Sequence, residues 1–316
     1  MATLVTGCAG FIGSNLVDRL LECGTHIIGI DNLDSFYDPA IKKKNLEHNL
    51  QNPNFNFEQI DIRDSNALEK VFRDFDVETV VHLAARAGVR PSIIDPFLYE
   101  DVNIKGTLNL LEMGKIHGIK NFIFASSSSV YGVNEKVPFS ETDNVDKSIS
   151  PYAASKKACE TFCYTYHHLY GIPIVCLRFF TVYGPRQRPE MAIHKFTRLI
   201  DEGREIEMYG NGTSKRDYTY ISDIVDGIIS SMKIEEGYEL FNLGNSKVVE
   251  LRYLIRLIEQ NLGKEAKIKT LPDQPGDVPI TYADISKARA LLNYAPQTSI
   301  EEGIEKFVQW YRGEKN

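Results

Sequence analysis

The first half of the chain alternates short runs of β-branched and other apolar residues with longer stretches of helical periodicity. Such alternation is typical of a parallel sheet whose strands are joined by helices. The segments lie at residues 3–5, 11–23, 26–30, 67–75, 79–83, 102–117 and 121–125, and a further strand-like run lies at 174–180. We therefore predict an α/β fold with a Rossmann-type, doubly wound parallel sheet, followed by a smaller C-terminal α/β domain that binds the substrate.

The later half has the breaks and turns of a second domain. Tyr183-Gly184-Pro185 interrupts regular structure, and helical patterns follow at 222–232, 251–262, 286–292 and 299–310. We assign residues 1–180, with a returning segment near 217–245, to the first domain and 181–316 mainly to the second. The polar segment 34–57 includes Lys42, Lys43 and Lys44, and we expect it to be a solvated helix and loop.

Charge and composition exclude several classes of protein. The formal net charge is −7 and no long basic block occurs, so neither nucleic acid nor an anionic membrane is an expected partner. No run of eighteen apolar residues and no signal-peptide pattern occurs, which favours a cytoplasmic protein. The five cysteines lack zinc-type spacing, so we expect neither a disulfide framework nor a metal site.

Glycines recur at the first junction of strand and helix. The stretch Gly7-Cys8-Ala9-Gly10-Phe11-Ile12-Gly13 follows the first strand and opens the first helix. Without Cβ atoms the turn can tighten, and backbone N–H groups at the helix N-terminus can approach a pyrophosphate. A GxxGxxG spacing is found in dinucleotide sites and also in plain turns, so it needs support from elsewhere in the chain.

Residues at the later strand ends provide that support. Asp31 lies eighteen residues after Gly13, at the end of the second strand. A carboxylate there can accept hydrogen bonds from both hydroxyls of an adenosine ribose and would repel a 2′-phosphate, which favours NAD over NADP. His82, in the fourth strand, is expected to be a buried, hydrogen-bonded structural residue. The other predicted cofactor contacts at strand ends are Asn32, Asp61, Ile62, Leu83, Ala84 and Ala85.

A tyrosine and a lysine are spaced for acid–base chemistry. Tyr152 and Lys156 are four residues apart just after Pro151, so they share one face of a predicted helix. A lysine ammonium and the positive ring of an oxidised nicotinamide favour the ionised form of a nearby phenol. Residues 126–129, after the fifth strand, are all serines. Together these residues predict removal of a proton from a substrate hydroxyl beside a nicotinamide cofactor.

From residue 6 to residue 294 the chain resembles the extended short-chain dehydrogenase/reductases, in the group of nucleotide-sugar epimerases and dehydratases. The motifs of the resemblance are the glycine loop, the serine run before Val130-Tyr131-Gly132, and Tyr152 with Lys156. It implies that Ser127 hydrogen-bonds O4 of the sugar, that Tyr152 takes the O4 proton, and that Lys156 holds the cofactor ribose. Hydride would pass from C4 of the sugar to NAD.

The residues after Ser127 bear on the type of reaction. The family's 4,6-dehydratases carry Asp-Glu directly after the catalytic hydroxyl, and its decarboxylases usually carry Glu in the same stretch. Here those positions are Ser128 and Ser129. Dehydration and decarboxylation are therefore disfavoured, and the resemblance implies 4-epimerisation with NAD recycled in each turnover.

Stretches at 86–90, 178–189 and 274–279 are similar to UDP-glucuronate 4-epimerases. Thr181 stands where UDP-galactose 4-epimerases have Asn, and a small hydroxyl can donate to a sugar carboxylate. Gln274 stands where those enzymes have Arg, and Arg188 is a candidate replacement. The resemblance implies that Arg216 binds the diphosphate and Asp277 the uridine ribose. The expected UDP-sugar contacts are Arg86, Ser127, Ser128, Ser129, Thr181, Arg188, Met191, Arg216 and Asp277.

Other functions stay open from the sequence alone. A UDP-glucose 4-epimerase is the main rival, followed by a UDP-glucuronate decarboxylase and by a non-catalytic NAD-binding module on the same fold. The intact Ser127, Tyr152 and Lys156 argue against the last of these. The resemblance also implies a homodimer, formed through the helices predicted at 102–117 and 152–170.

Overall fold

The computed structural model describes residues 1–272 and 280–315. The strands are β1 (Ala2–Thr6), β2 (Ile27–Ile30), β3 (Phe55–Glu58), β4 (Val77–His82), β5 (Asn121–Ser127), β6 (Ile174–Phe179), β7 (Thr181–Tyr183), β8 (Glu205–Tyr209), β9 (Lys215–Arg216), β10 (Tyr218–Tyr220), β11 (Tyr238–Leu243), β12 (Val249–Glu250), β13 (Lys267–Leu271) and β14 (Ile280–Thr281). The α-helices are α1 (Phe11–Glu22), α2 (Pro39–Glu47), α3 (Ser65–Asp74), α4 (Val89–Ile94), α5 (Pro96–Tyr99), α6 (Gly106–His117), α7 (Pro151–Tyr170), α8 (Ala192–Asp201), α9 (Ile221–Ser231), α10 (Leu251–Leu262), α11 (Ser286–Leu292) and α12 (Ile300–Lys315).

A seven-stranded parallel sheet forms the centre, in the order β3-β2-β1-β4-β5-β6-β11. The order of strands reverses between β1 and β4, and ligands of such sheets bind at the carboxyl ends of the strands beside this point. The register sets Thr6 of β1 opposite both Ile30 of β2 and His82 of β4, so these three strands end together. The predicted Rossmann-type sheet is confirmed.

Helices cover both faces of this sheet. On one face, Val5 belongs to an apolar cluster with Leu16 of α1 and Ile224 of α9. On the other face, Leu4 clusters with Leu110 of α6. β1 and β2 are buried along their whole length, which explains why their sequences are continuously apolar rather than alternating.

The later half of the chain also forms smaller sheets. β7 pairs with β10, β8 pairs with β13, and β9 lies between β12 and β14. β11 returns to the central sheet, where it pairs in parallel with β6. The helices predicted near 222–232, 251–262, 286–292 and 299–310 are confirmed as α9 to α12.

Candidate active site

A cleft runs along the carboxyl ends of the central strands. It is lined by every residue predicted to contact a cofactor, namely Gly7, Gly10, Phe11, Ile12, Gly13, Asp31, Asn32, Asp61, Ile62, Leu83, Ala84, Ala85, Tyr152 and Lys156. It is also lined by the predicted substrate contacts Arg86, Ser127, Ser128, Ser129, Thr181, Arg188 and Met191. The two sets of residues therefore share one continuous site.

The glycine loop leaves no room for side chains. A Cβ on Gly13 would lie 2.0 Å from the carbonyl oxygen of Gly7, and a Cβ on Gly7 would lie 2.8 Å from the amide nitrogen of Ala84. Gly7 also has a φ of +71°, a conformation that glycine adopts without strain. α1 begins directly after Gly10, so its first turn lines the cleft. Such a cradle of backbone at a helix N-terminus suits a pyrophosphate.

Asp31 follows β2 and is fixed by the backbone around it. Its carboxylate accepts hydrogen bonds from the amides of Ala9, at 3.2 Å, and Leu33, at 2.8 Å. The side chain is buried, and burial raises the pKa of the Asp31 carboxyl, while the nearby ammonium of Lys42 opposes that rise. The carboxylate is thus held in the wall of the cleft, where it can accept hydrogen bonds from ribose hydroxyls.

Lys42 shows that the expectation of a fully solvated lysine run is wrong. Its side chain is only 9% exposed, and its Nζ lies 3.8 Å from Oδ1 of Asp31. Asn45 and Leu46, three and four residues further along α2, are buried on the same side of the helix. This i, i+3, i+4 spacing marks the inner face of α2, but two of its three residues are polar, so no apolar stripe predicts that face from the sequence. The two lysines that follow it are exposed, as expected.

Asp61, beyond the end of β3, lies in a network of charges. Its carboxylate accepts a hydrogen bond from Nδ2 of Asn32 at 2.9 Å and pairs with Arg63 at 2.7 Å. Arg63 also pairs with Asp101 at 2.8 Å. The hydrogen bonds from Arg63 hold the pKa of the Asp61 carboxyl well below its usual range. Asp61 therefore stays a hydrogen-bond acceptor in the cleft at neutral pH.

His82 is a buried structural residue, as predicted. Its Nδ1 lies 2.8 Å from Oγ1 of Thr6, and its Nε2 lies 3.0 Å from Oγ1 of Thr107. Burial lowers the pKa of His82 to about 3, with a smaller contribution from the charge of Lys156. The neutral ring therefore joins β1, β4 and α6. Thr6 in turn accepts a hydrogen bond from the amide of Ala84 at 3.2 Å, which fixes the loop after β4.

The first two turns of α7 bring Tyr152 and Lys156 to the cleft. Pro151 opens the helix, and the side chain of Ser150 caps it by accepting a hydrogen bond from its first turn. Lys156 is buried, and its Nζ donates to the carbonyl of Ala125 in β5 at 2.7 Å. The lysine therefore ties the start of α7 to the end of β5.

The serine run begins at the end of β5. Ser127 donates to Oγ of Ser129 at 3.1 Å and accepts a hydrogen bond from the Ser129 amide at 3.2 Å. Ser126 instead donates to the buried carboxylate of Glu160 at 2.7 Å, which pairs with Arg178 at 2.8 Å. This buried ion pair anchors the end of β5, and the three serines that follow Ser126 present small hydroxyl side chains in the cleft wall.

Two guanidinium groups approach the same aromatic ring in the cleft wall. The guanidinium carbon of Arg86 lies 4.9 Å from the centre of the Phe36 ring, and that of Arg188 lies 5.9 Å from it. Arg86 pairs with Asp34, and Arg188 pairs with Glu190 at 2.7 Å. Planar guanidinium groups bind phosphate oxygens through paired hydrogen bonds, so this pair of arginines can hold a diphosphate.

Two predicted substrate contacts, Arg216 and Asp277, are not among the described residues that line the cleft. Arg216 is on β9, outside the lining of the cleft, and its Nη1 donates to the carbonyl of Lys215 at 2.9 Å. Asp277 and Gln274 lie outside the described residues. The roles of Arg216 at a diphosphate and of Asp277 at a ribose therefore stay predictions.

Residues 1–272 and 280–315 contain neither a cluster of metal ligands nor a membrane-spanning helix. Three or more His, Cys, Asp or Glu side chains nowhere come together there in a way that could hold a metal ion. No helix in the same residues combines the length and apolar character needed to cross a bilayer. The five cysteines are free thiols.

Known proteins are similar to this chain in sequence and in fold. The sequence profile described as GDP-mannose 4,6 dehydratase matches residues 4–307. The chain belongs to this family. A UDP-glucuronate 4-epimerase of Thermodesulfobacterium geofontis is 47% identical over 97% of this chain and 95% of its own length. The sequence resemblance to nucleotide-sugar epimerases and dehydratases is thereby confirmed.

Solved structures of epimerases superpose over nearly all of the chain. A UDP-glucuronic acid 4-epimerase from Bacillus cereus, in complex with UDP-glucuronic acid and NAD, has a TM-score of 0.94 and 38% identity over 99% of this chain and 100% of that one. A UDP-glucose 4-epimerase from Thermotoga maritima, with UDP-glucose, has a TM-score of 0.92 and 35% identity over 100% of both chains. The fold is thus that of the family's 4-epimerases.

Asn103 is a residue of this site that the sequence did not reveal. It lies in a π-helical turn, Glu100–Lys105, where it accepts a hydrogen bond from the amide of Arg86 at 2.7 Å and donates to the carbonyl of Arg86 at 3.1 Å. It also donates to Oγ of Ser155 in α7 at 2.9 Å. Asn103 therefore joins the loop after β4 to the helix that carries Tyr152. No local motif marks it, because three distant segments meet at this side chain.

Proposed function

We propose that this protein is an NAD-dependent 4-epimerase that interconverts UDP-glucuronate and UDP-galacturonate through a transient 4-keto sugar. The observation that carries the proposal is that a dinucleotide cradle and the set Ser127, Tyr152 and Lys156 lie in one cleft. The relationship to UDP-glucuronate 4-epimerases at 47% and 38% identity supports this choice of reaction.

The residues of the cleft fit NAD. The tight turn at Gly7 and Gly13, where any Cβ would collide with neighbouring backbone, presents the N-terminus of α1 to a pyrophosphate. Asp31 binds the adenosine ribose, and its negative charge disfavours a 2′-phosphate. The other proposed contacts are Gly10, Phe11, Ile12, Asn32, Asp61, Ile62, Leu83, Ala84, Ala85, Tyr152 and Lys156. When bound, NAD supplies a reversible acceptor for the hydride of the sugar C4.

Tyr152 acts as the acid and base. Its phenol oxygen removes the proton of the sugar O4 while C4 is oxidised, and returns it while C4 is reduced on the opposite face. Lys156 holds the cofactor ribose, and its buried ammonium is positioned by the hydrogen bond that it donates to the carbonyl of Ala125. Ser127 hydrogen-bonds O4 and so holds it in position for Tyr152.

Neutral hydroxyl groups bind the sugar carboxylate in this proposal. Ser128, Ser129 and Thr181 line the cleft together with Ser127. A 4-keto sugar with a carboxylate at C5 is a β-keto acid that can lose CO₂, so the carboxylate has to be held in an orientation that disfavours C–C cleavage. Hydroxyls fix the group without neutralising it. The guanidinium groups of the cleft wall bind the diphosphate, and Met191 contacts the nucleotide.

Product analysis tests the proposal directly. The purified protein is incubated with NAD and either UDP-glucuronate or UDP-glucose, and the sugars are resolved by proton NMR. We expect UDP-galacturonate from UDP-glucuronate. Faster conversion of UDP-glucose would favour a neutral-sugar epimerase, a UDP-pentose with released CO₂ would favour a decarboxylase, and no conversion of either sugar would favour a binding module.

Domain boundaries follow from the same assignment. We propose that residues 1–180 and 217–245 form the NAD-binding domain and that the rest of 181–316 mainly binds the UDP-sugar. The pairing of β11 with β6 and the packing of α9 on α1 support the returning segment. NAD and UDP-sugars are cytoplasmic metabolites, which supports a cytoplasmic location. UDP-galacturonate is an activated glycosyl donor, so the reaction would supply polysaccharide biosynthesis.

A homodimer is the proposed assembly. Large apolar side chains are exposed on α4 and α5 at Ile94, 85%, and Phe97, 82%, and further ones lie at Ile116 near the end of α6 and Leu169 near the end of α7. Ile94 and Phe97 are three residues apart, and exposed large apolar side chains that lie together are typical of an interface. We expect light scattering to give the mass of a dimer and Ile94→Asp to shift it toward the monomer. Leu291→Asp, at an exposed apolar site on α11, is the control that should leave the mass unchanged.

A further inference from the structure

Lys42, a buried charged residue of α2, has no role in the proposed proton transfer. Lys42 is 9% exposed, its Nζ lies 3.8 Å from Oδ1 of Asp31, and both residues line the cleft. Burial of an ammonium costs free energy unless a negative charge or a ligand compensates for it. The separation exceeds hydrogen-bond distance, so Asp31 compensates by charge, and the N–H groups of Lys42 stay able to donate to a ligand.

Lys42 is held in this position by its surroundings. Asn45, on the same face of α2, donates to the carbonyl of Ala9 at 3.0 Å, and the amide of Ala9 donates to Asp31 at 3.2 Å. The helix is therefore bound to the glycine loop at the residue that also fixes Asp31. The Nζ of Lys42 lies 5.0 Å from the ring centre of Tyr37, which lines the same cleft. These contacts make α2 a constructed part of the site rather than a solvated segment.

We propose that Lys42 is a specificity residue of the adenosine-ribose site and that Asp31 and Lys42 together set the choice between NAD and NADP. The inference rests on the proposed function, because it takes a nicotinamide dinucleotide as the cofactor. The carboxylate of Asp31 excludes a 2′-phosphate, and Lys42 donates to the ribose. Because the Lys42 ammonium lies beside that carboxylate, exclusion of the 2′-phosphate depends on the negative charge of Asp31 alone. If that charge is removed, the ammonium attracts the 2′-phosphate of NADP.

Nucleotide affinity, measured by calorimetry without turnover, tests this pair of residues. Protein freed of nucleotide is titrated with NAD and with NADP as wild type, Lys42→Met, Asp31→Asn and the double variant. We expect Lys42→Met to weaken NAD binding about tenfold, the scale of one lost charged hydrogen bond. Asp31→Asn should weaken NAD binding and strengthen NADP binding by about tenfold, and the double variant should lose the gain for NADP. Lys43→Met, at an exposed lysine of the same helix, should behave as wild type.

A purely structural role for Lys42 would have a different signature. In that case Lys42→Met would lower the affinities for NAD and NADP by the same factor, both in the wild type and in Asp31→Asn. Equal NADP affinities of Asp31→Asn and the double variant would overturn the proposal. Lys42→Arg keeps the charge, so combined with Asp31→Asn it should retain the gain for NADP. If the wild type binds NAD and Lys42→Met has the same NAD affinity as Lys43→Met, this inference is wrong, while the proposed function is unaffected. A wild-type protein that binds neither nucleotide would refute the proposed function itself.

Discussion

The cofactor half and the sugar half of the cleft are built by different means. In the cofactor half the backbone sets the shape, because a Cβ on Gly13 would lie 2.0 Å from the carbonyl oxygen of Gly7. In the sugar half side chains set the surface, chiefly the hydroxyls of Ser127, Ser129 and Thr181. A backbone surface recognises a common group and tolerates no substitution, whereas a side-chain surface changes specificity one residue at a time.

Gly13→Ala should have the largest effect, because it alters the backbone-built half. The added methyl group cannot be accommodated without moving the turn, so we expect no measurable NAD binding by calorimetry and a lower melting temperature. Gly313→Ala is the control, since a Cβ there meets no atom within 4 Å in the described chain. It should stabilise α12 slightly, by about 0.5–1 kcal/mol. NAD binding by Gly13→Ala at wild-type strength would contradict the proposed cradle.

Tyr152→Phe should affect catalysis much more than cofactor binding. We expect turnover of UDP-glucuronate to fall by about 10²–10⁴, the usual contribution of a general acid or base. NAD affinity should fall by about tenfold at most, the scale of one lost hydrogen bond, because the glycine loop and Asp31 are intact. Tyr164→Phe removes an exposed hydroxyl from the same helix and should keep full activity. Retention of more than a tenth of the activity by Tyr152→Phe would rule out its proposed role.

His82→Gln should change how the free energy of unfolding depends on pH, because the buried His82 ring joins β1, β4 and α6. The folded-state pKa of His82 is lowered to about 3, against about 6.5 for an unfolded chain. The unfolded state therefore binds one more proton between these values, and the unfolding free energy falls on acidification by about 1.4 kcal/mol per pH unit. Urea unfolding between pH 7 and pH 4 should show a shallower decline for His82→Gln than for wild type. Parallel declines would mean that the ring is not held neutral.

Thr181→Ala should give the smallest effect and test the sugar half alone. Loss of one hydrogen bond to an ionised carboxylate costs about 1.5–3 kcal/mol, so the KM for UDP-glucuronate should rise roughly ten- to a hundredfold. UDP-glucose binding and NAD binding should not change, and CO₂ release should increase as the carboxylate becomes less restrained. Unchanged KM together with unchanged CO₂ release would remove Thr181 from the proposed carboxylate site.

Sequence patterns predicted which residues gather at the ends of the central strands, because those signals are local. The glycine loop, Asp31 and the ends of the parallel strands follow one another at spacings that the strand–helix–strand unit dictates. The prediction was wrong about Lys42, because the inner face of α2 consists of Lys42, Asn45 and Leu46 and lacks an apolar stripe. Asn103 was missed because its partners come from Arg86 and from α7, which no local pattern joins.

The sugar half depended more on resemblance than on pattern. Ser127 and Thr181 lie on different strands, β5 and β7, and only the fold shows that both line one cleft. Arg216 is expected at the diphosphate from its position in the family motif, and this role on β9 stays a prediction. Side chains from separate segments meet through tertiary structure, which the spacing of residues along the chain does not specify.

Isotope retention tests the central proposal most directly. UDP-glucuronate with deuterium at C4 is incubated with the protein and NAD, and the UDP-galacturonate formed is examined by NMR and mass spectrometry. Because the hydride leaves C4 and returns to the same carbon on the other face, we predict full retention of deuterium at C4 of the product. Replacement of the deuterium by solvent hydrogen, or the absence of any epimerised product, would contradict the proposed reaction.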